Sequence, residues 1–137
     1  MNTFARTVDL LHRAMDVSVV RRQVIANNLT NAEVPNFKRS DVNFESELKR
    51  VLESENRRPR IVLDRTHEDH FTNDRHRDYR DVEVRRVLDY TTTYNNNGSN
   101  VDPEHEFMLA TQNQMAYTLY AQSVAFEFSQ INQVLRG

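Results

Sequence analysis

The sequence contains 137 residues, of which 38% are hydrophobic and 28% are charged, and its formal net charge is -2. This balance argues against a nucleic-acid protein that depends on phosphate contacts, and the absence of cysteine excludes disulfides and thiolate metal sites. No stretch approaches the roughly 20 apolar residues that span a bilayer, and the charges near the N-terminus lead us to expect no cleavable secretory signal.

The first predicted element is a long helix over residues 3–29. Apolar side chains recur on one face of this segment at about 3.5-residue intervals, with Ser18 and Arg22 in the two places that lack an apolar residue. This spacing is typical of a helix that packs along another helix. The residues of this face are Phe4, Val8, Leu11, Met15, Ile25 and Leu29.

The segment 31–56 is expected to contain a turn followed by a short amphipathic helix. Five apolar residues between positions 42 and 52 predict a helix over about 41–54, opened by Asp41 or Asn43. We therefore expect this short helix to bury only its apolar face.

The segment 57–101 is charged and irregular, and we expect it to be partly β or disordered. Residues 60–63 and 82–84 favour short strands, and the asparagine-rich residues 95–99 predict a turn or loop. Arginine outnumbers lysine sixteen to two in the whole chain. Arginines in this segment could pair with carboxylates of neighbouring subunits, although a lineage bias or a self-paired loop explains them equally well.

The last predicted element is a helix that begins after Asp102 and occupies most of residues 102–137. Asp102 is a suitable N-cap, Pro103 suits the first helical position, and Glu104 suits the positive end of the helix dipole. One face repeats apolar residues every three or four positions, with Gln114 in its one polar place. The face comprises Phe107, Ala110, Tyr117, Ala121, Val124, Phe128, Ile131 and Leu135.

The polar side of this last helix is unusual because it consists largely of amides and hydroxyls. Between Phe107 and Leu135 the one charged residue is Glu127. Neutral hydrogen-bonding groups cost less to bury than ions, so this pattern favours a helix surrounded by other protein chains. A polar surface without partners is the alternative.

These elements predict a mainly α fold. The long N- and C-terminal helices would pair as an antiparallel, coiled-coil-like hairpin, and the segments 1–30, 31–56, 57–101 and 102–137 would be its structural divisions.

The chain offers little for catalysis or metal binding. His67 and His70, with the carboxylates beside them, are the one cluster that resembles metal ligands, and a solvated loop is the favoured interpretation. No motif surrounds a nucleophile, and the carboxylate pairs point to different sides of a helix. We therefore predict no enzymatic activity, no metal site and no cofactor.

Residues 25–38 carry the most specific signal in the sequence. They resemble the N-terminal signature of flagellar axial proteins, in which an asparagine-rich helix end precedes a turn of the Thr-Pro-Gly-Tyr-Lys type. Asparagine replaces glycine in this turn, which is reasonable because asparagine tolerates positive φ, and the helix-end asparagines can bond the local backbone. The residues of the signature are Asn27, Asn28, Asn31, Pro35, Asn36, Phe37 and Lys38.

Further segments narrow the resemblance to the proximal subunits of the flagellar basal-body rod protein family. These segments are residues 41–48, 66–70, 97–102 and 128–137. The resemblance implies a structural subunit whose terminal helices pair in an inner tube and stack helically with other rod subunits to transmit torque. It also implies contact with the rod base at the export gate, a periplasmic position, and type III export without a cleavable signal, with no nucleic acid bound and no membrane insertion.

Our hypothesis is therefore a rod subunit whose apolar helix faces are completed by neighbouring copies or related subunits. Two other classes remain open: a small secreted helical-hairpin protein of the needle type, and a cytoplasmic coiled-coil adaptor. The long middle segment disfavours the first, and cell fractionation would distinguish the second.

Overall fold

The computed structural model describes residues 3–55, 67, 78–92 and 94–136. In chain order its elements are α1 (Thr3–Thr30), β1 (Ser40–Asn43), α2 (Glu45–Glu55), a 3-10 turn (Tyr79–Asp81), β2 (Arg85–Leu88) and α3 (Pro103–Arg136). The fold is mainly α, and the two long helices pack together, which confirms the predicted class. No helix within the described ranges is both long and apolar enough to cross a membrane.

Contacts divide the chain into two units. One contains Met1–Val42 and Arg86–Gly137, and the other contains Asn43–Arg85. The first unit holds the long helices, and the second holds α2 and the 3-10 turn.

Antiparallel pairing of α1 and α3 organises the first unit. The Phe4 and Phe128 rings meet edge to face with their centroids 5.5 Å apart. Further along, the Asn113 amide donates to the Ser18 carbonyl at 2.9 Å. Partner numbers fall along α3 as they rise along α1, which is the antiparallel arrangement expected from the two apolar stripes.

The buried face of each helix is rotated slightly from the predicted one. On α1, Val17 and Val24 are buried together with Ile25, although the 3.5-residue repeat placed the two valines on its flank. On α3, Asn113 is buried whereas Gln114, the predicted polar position of the seam, is exposed. Apolar periodicity alone could not find this setting because several inward residues are polar: Ser18 and Asn28 on α1, and Glu106 and Asn113 on α3.

The N-terminus of α3 is capped as predicted. Asp102 Oδ1 accepts hydrogen bonds from the backbone N–H groups of Glu104 at 2.9 Å and His105 at 3.3 Å. The Glu106 N–H donates to the Asp102 carbonyl at 3.0 Å, which begins the helical ladder.

The prediction of a helix from residue 41 was wrong at its start. Ser40–Asn43 form strand β1, and α2 begins at Glu45, with the Leu48 N–H bonded to the Phe44 carbonyl at 2.9 Å. Val42 and Phe44 are both buried, a two-residue spacing that fits a strand and that the sequence pattern merged into the following helix.

Strand β2 also differs from its prediction. Residues 82–84 are not a strand: Val82 is buried and its N–H closes the 3-10 turn on the Tyr79 carbonyl at 3.4 Å. The strand follows at Arg85–Leu88 and pairs with β1 in a two-stranded sheet. The predicted strand at 60–63 lies outside the described residues.

In the second unit, α2 packs against the 3-10 turn. Phe44, Val51, Tyr79 and Val82 are its buried apolar residues. Asp78 begins the turn and accepts a hydrogen bond from the Arg80 N–H at 3.0 Å.

Candidate assembly surface

The chain leaves α1 through a turn that packs against a loop far away in sequence. Asn36 in this turn has φ 58°, the left-handed conformation expected at a glycine-like position. Its N–H donates to the Asn97 carbonyl at 3.1 Å, and Lys38 Nζ donates to the Gly98 carbonyl at 2.9 Å. The Asn97 amide donates to the Glu33 carbonyl at 3.3 Å. The two loops therefore brace each other at one end of the helix pair.

Gly98 lies where these two loops meet. It lies in the predicted turn, closes it with an N–H bond to the Asn95 carbonyl at 3.1 Å, and has φ 81°. A Cβ at this position would lie 2.5 Å from Asn36 Oδ1. Both the backbone conformation and the close approach therefore favour glycine.

We expect Gly98→Ala to destabilise the chain by about 1–2 kcal/mol through its left-handed backbone, with a further cost from the contact with Asn36. In an Asn36→Gly background the contact is removed, so the same substitution should cost less. Urea unfolding of the unchanged chain, the two single variants and the double variant measures the coupling between residues 36 and 98. Equal costs in both backgrounds would contradict the packing of the two loops.

The asparagines at the end of α1 have two different roles. Asn31 Nδ2 donates to the Asn27 carbonyl at 2.8 Å, as expected for residues that end a helix. The expectation of a local role was wrong for Asn28, which is fully buried. Its Nδ2 donates to the Ser40 carbonyl at 2.8 Å, and its Oδ1 accepts from the Ser40 N–H at 2.9 Å. Asn28 therefore holds β1 against the helix pair.

Glu106 joins this polar contact to α3. Its side chain is 1% exposed, and its Oε1 accepts from Asn28 Nδ2 at 3.2 Å and from Arg39 Nε at 3.0 Å. Glu106 Oε2 is buried and has no hydrogen-bond partner among the described residues. The cluster connects α1, the entry to β1 and α3. Sequence reasoning did not single out Glu106, because nothing local shows that it is buried.

Asn100 and Asp89 extend the same junction. Asn100 Oδ1 accepts from the Arg39 N–H at 2.7 Å, and Asn100 Nδ2 donates to the Asp89 carbonyl at 2.7 Å. The Asp89 carboxylate accepts from the Thr92 hydroxyl at 2.7 Å and from the N–H and hydroxyl of Thr91, both at 2.9 Å. These hydrogen bonds lower the pKa of Asp89 well below its usual range, and the bond from the Thr92 hydroxyl has the largest effect.

The low pKa of Asp89 gives a pH prediction. A carboxyl group whose pKa is lower in the folded state stabilises the fold above its unfolded pKa of about 3.9, and this stabilisation is lost as the pH falls through the folded pKa. The turn at residues 89–92 should therefore keep its hydrogen bonds at pH values where an ordinary aspartate is protonated. An NMR titration of the Thr91 and Thr92 amides measures the midpoint, with Asp89→Asn as the control. A midpoint near 3.9 would contradict the lowered pKa of Asp89.

The side of α3 opposite its packed face exposes large apolar side chains. Met108, Met115, Leu119 and Phe126 are 48%, 67%, 60% and 62% exposed. From Phe107 to Phe126 the helix carries no charged residue. We call these four residues the outer face of α3. A solvated helix surface normally carries charges, so this surface has the composition of a protein interface.

Comparison with known proteins identifies the family. No protein-family model matches the chain. The chain is 42% identical over 136 residues to the flagellar basal body rod protein FlgB of Borreliella burgdorferi, which covers 99% of this chain and 100% of that protein. The chain belongs to the FlgB family of flagellar basal body rod proteins.

Other FlgB proteins match over the same length. The chain is 40% identical over 136 residues to FlgB of Borrelia hermsii, covering 99% of this chain and 100% of the relative. It is 29% identical over 139 residues to FlgB of Bacillus subtilis, covering 100% and 98% respectively. The similarity therefore extends over both helices and the segment between them.

For this FlgB-family chain, the predicted assembly residues fall into three groups. Ile25 is buried in the helix pair. Phe107, Phe128 and Leu135 are 65%, 47% and 78% exposed. The remaining members are partly buried: Phe4, Val8, Leu11, Met15, Leu29, Tyr117, Val124 and Ile131. Their role in assembly stays a prediction.

The C-terminal end of α3 forms a shallow apolar cavity with the start of α1. The cavity has a volume of about 270 Å³, and Phe4, Ile131, Val134 and Leu135 contribute its apolar walls. Beyond the Phe4–Phe128 contact, α3 continues to Arg136, and Val134 is 81% exposed. This FlgB-family helix therefore exposes apolar residues at its end as well as along its outer face.

The histidine cluster for which the sequence favours a solvated loop lies mostly outside the described residues. His67 is exposed and His70 lies outside the described residues. Across 3–55, 67, 78–92 and 94–136, no group of three histidine, aspartate or glutamate side chains could hold a metal ion.

Proposed function

We propose that this chain, a flagellar basal body rod protein by family, is a non-enzymatic structural subunit of the proximal rod. Its terminal helices would assemble helically with copies of itself and with related rod subunits, and the assembly would transmit torque. The observation that carries this proposal is the uncharged, apolar outer face of α3, which the chain's own α1 leaves exposed.

Burial of this face supports a stiff assembly. Fully burying a leucine, methionine or phenylalanine side chain contributes roughly 1.5–3 kcal/mol, so four such residues at one contact provide several kcal/mol. Each subunit presents this face in one direction only. A neighbour would cover it with a different surface, and such heterologous contacts extend into a helix rather than closing into a dimer.

The position in the cell follows from the same role. A proximal rod subunit would contact other rod proteins and the junction of the rod base with the export gate, on the periplasmic side of the basal body. It would leave the cell through the flagellar type III apparatus without a cleavable signal, and it would use no cofactor.

Gene deletion tests the proposal directly. Cells that lack this gene should be non-motile and should show no rods or filaments by electron microscopy, and the wild-type gene supplied in trans should restore both. The protein should copurify with detergent-extracted basal bodies. Normal swimming of the deletion strain, with no second copy of the gene present, would exclude this role, and a protein that stays in the soluble fraction would instead indicate an adaptor.

A further inference from the structure

In the part of the chain that the structure describes, strand β2 is an open sheet edge. The sheet has two strands, in the order β1–β2, so no third strand lies on the far side of β2 among the described residues. All residues of β2 are exposed, and Val87 and Leu88 are each 49% exposed. Adjacent residues of a strand point to opposite faces, so both faces of β2 leave apolar surface uncovered.

The exposed apolar surface continues past the strand. Tyr90 is 72% exposed and Tyr94 is 58% exposed. Native proteins usually protect strand edges with charges, prolines or a covering element, because an open edge pairs readily with another chain. Here two arginines begin the strand, whereas its second half, Val87 and Leu88, is apolar and exposed.

The direction of the edge hydrogen bonds can be read from one contact. The Asp89 N–H donates to the Arg39 carbonyl at 3.0 Å, on the side of β1. Successive N–H groups of a strand alternate in direction, so Val87 also points its N–H towards β1. Arg86 and Leu88 then direct theirs to the open edge.

The charges on the strand indicate which kind of segment would bind at this edge. Arg85 and Arg86 begin the strand, and both are exposed. An arginine guanidinium pairs well with a carboxylate, and opposite charges on neighbouring strands stabilise a sheet. An acidic segment would therefore be favoured at this edge, and a basic one would be repelled.

From these observations we propose that β2 binds an extended, acidic segment of a second protein chain as a third strand of the sheet. Main-chain bonds from Arg86 and Leu88 would hold the segment, the two arginines would pair with its carboxylates, and Val87 and Leu88 would pack against its apolar residues. This interface uses neither α1 nor α3. It would supplement the helix contacts of the proposed function without depending on them.

A peptide titration of the full chain tests the proposal. The probe is a synthetic peptide, Glu-Thr-Val-Glu-Val-Thr-Glu, and the control has lysine in place of each glutamate. The acidic peptide should shift the NMR amide signals of Arg86, Leu88 and Tyr90, and the lysine peptide should bind at least tenfold more weakly. Salt should weaken the acidic complex. Equal binding of both peptides, or no shift with the acidic one, would overturn the proposal.

Two matched variants separate strand addition from simple apolar contact. Leu88→Pro removes the outward N–H and should abolish binding, whereas Leu88→Ala keeps it and should retain part of the affinity. Circular dichroism should show equal helix content in both variants. Undiminished binding of the acidic peptide by Leu88→Pro would contradict strand addition. Slow hydrogen exchange of the Arg86 and Leu88 amides in the free chain would contradict it too, because the edge would already be covered.

Discussion

Replacing Glu106 with alanine should lower the free energy of unfolding of the helix pair by about 3 kcal/mol. The substitution removes one acceptor of Asn28 Nδ2 and the acceptor of Arg39 Nε, and both donors remain in a largely buried place. The Arg39 side chain is 16% exposed and so keeps some contact with water, which places the expected cost at the low end of the range for a broken buried pair.

Glu106→Gln separates charge from hydrogen bonding in this cluster. The amide oxygen can replace Oε1 as acceptor, and the amide nitrogen would take the place of Oε2, which has no partner among the described residues. We therefore expect a smaller loss than in the alanine variant, because charged acceptors make stronger hydrogen bonds than neutral ones.

The matched control is Glu104→Ala, which removes an exposed carboxylate from the same first turn of α3. Its effect should stay within about 1 kcal/mol, the contribution of a charge near a helix N-terminus. Guanidinium unfolding followed by circular dichroism compares the variants. If Glu104→Ala and Glu106→Ala destabilised the chain equally, the buried cluster would not hold the junction.

Local sequence signals predicted much of the fold. The apolar repeats located α1 and α3, and the Asp102–Pro103 pair marked the start of α3. The signature turn predicted a residue in the left-handed region, and Asn36 adopts that conformation. In each case the signal itself lies within a short stretch of the chain, so the sequence pattern contains it.

Long-range polar contacts could not be predicted in this way. Asn28 and Glu106 are distant in sequence, and both are buried where their side chains meet. Asn113 likewise faces Ser18 across the helix pair, which rotated the buried face of α3 away from the purely apolar one. A periodicity argument assumes that inward residues are apolar, so it fails where the core contains paired polar groups.

The short strands show a second limit. Val42 and Phe44 are spaced for a strand but adjoin a helix pattern, and the sheet forms only because β2 supplies a partner from a distant part of the sequence. Strand propensity depends strongly on such context. The proposed assembly surface was predicted only in composition, because amides and apolar residues do not reveal which side of α3 will face α1.

Leu119→Glu should prevent rod assembly while leaving the helix pair intact. Leu119 is 60% exposed on the outer face of α3, so a charge there is solvated in the single subunit and costs little. In an assembled rod the same charge would be buried without a partner, which costs several kcal/mol in addition to the lost apolar contact. Each 1.4 kcal/mol is a tenfold change in an equilibrium constant, so assembly should weaken at least a hundredfold.

Two control variants define what such a loss means. Leu119→Gln removes the apolar contact without adding a charge and should give an intermediate defect, because other amides already occur along α3. Gln23→Glu adds a charge to the exposed side of α1 and tests whether charge alone is harmful. Soft-agar motility and electron microscopy of basal bodies give the assembly readout, and thermal unfolding of the purified chains shows whether the fold is kept. Normal motility with Leu119→Glu would mean that the outer face of α3 points to solvent in the rod. The stiffness of the assembly would then have to come from the apolar end of α3 around Val134.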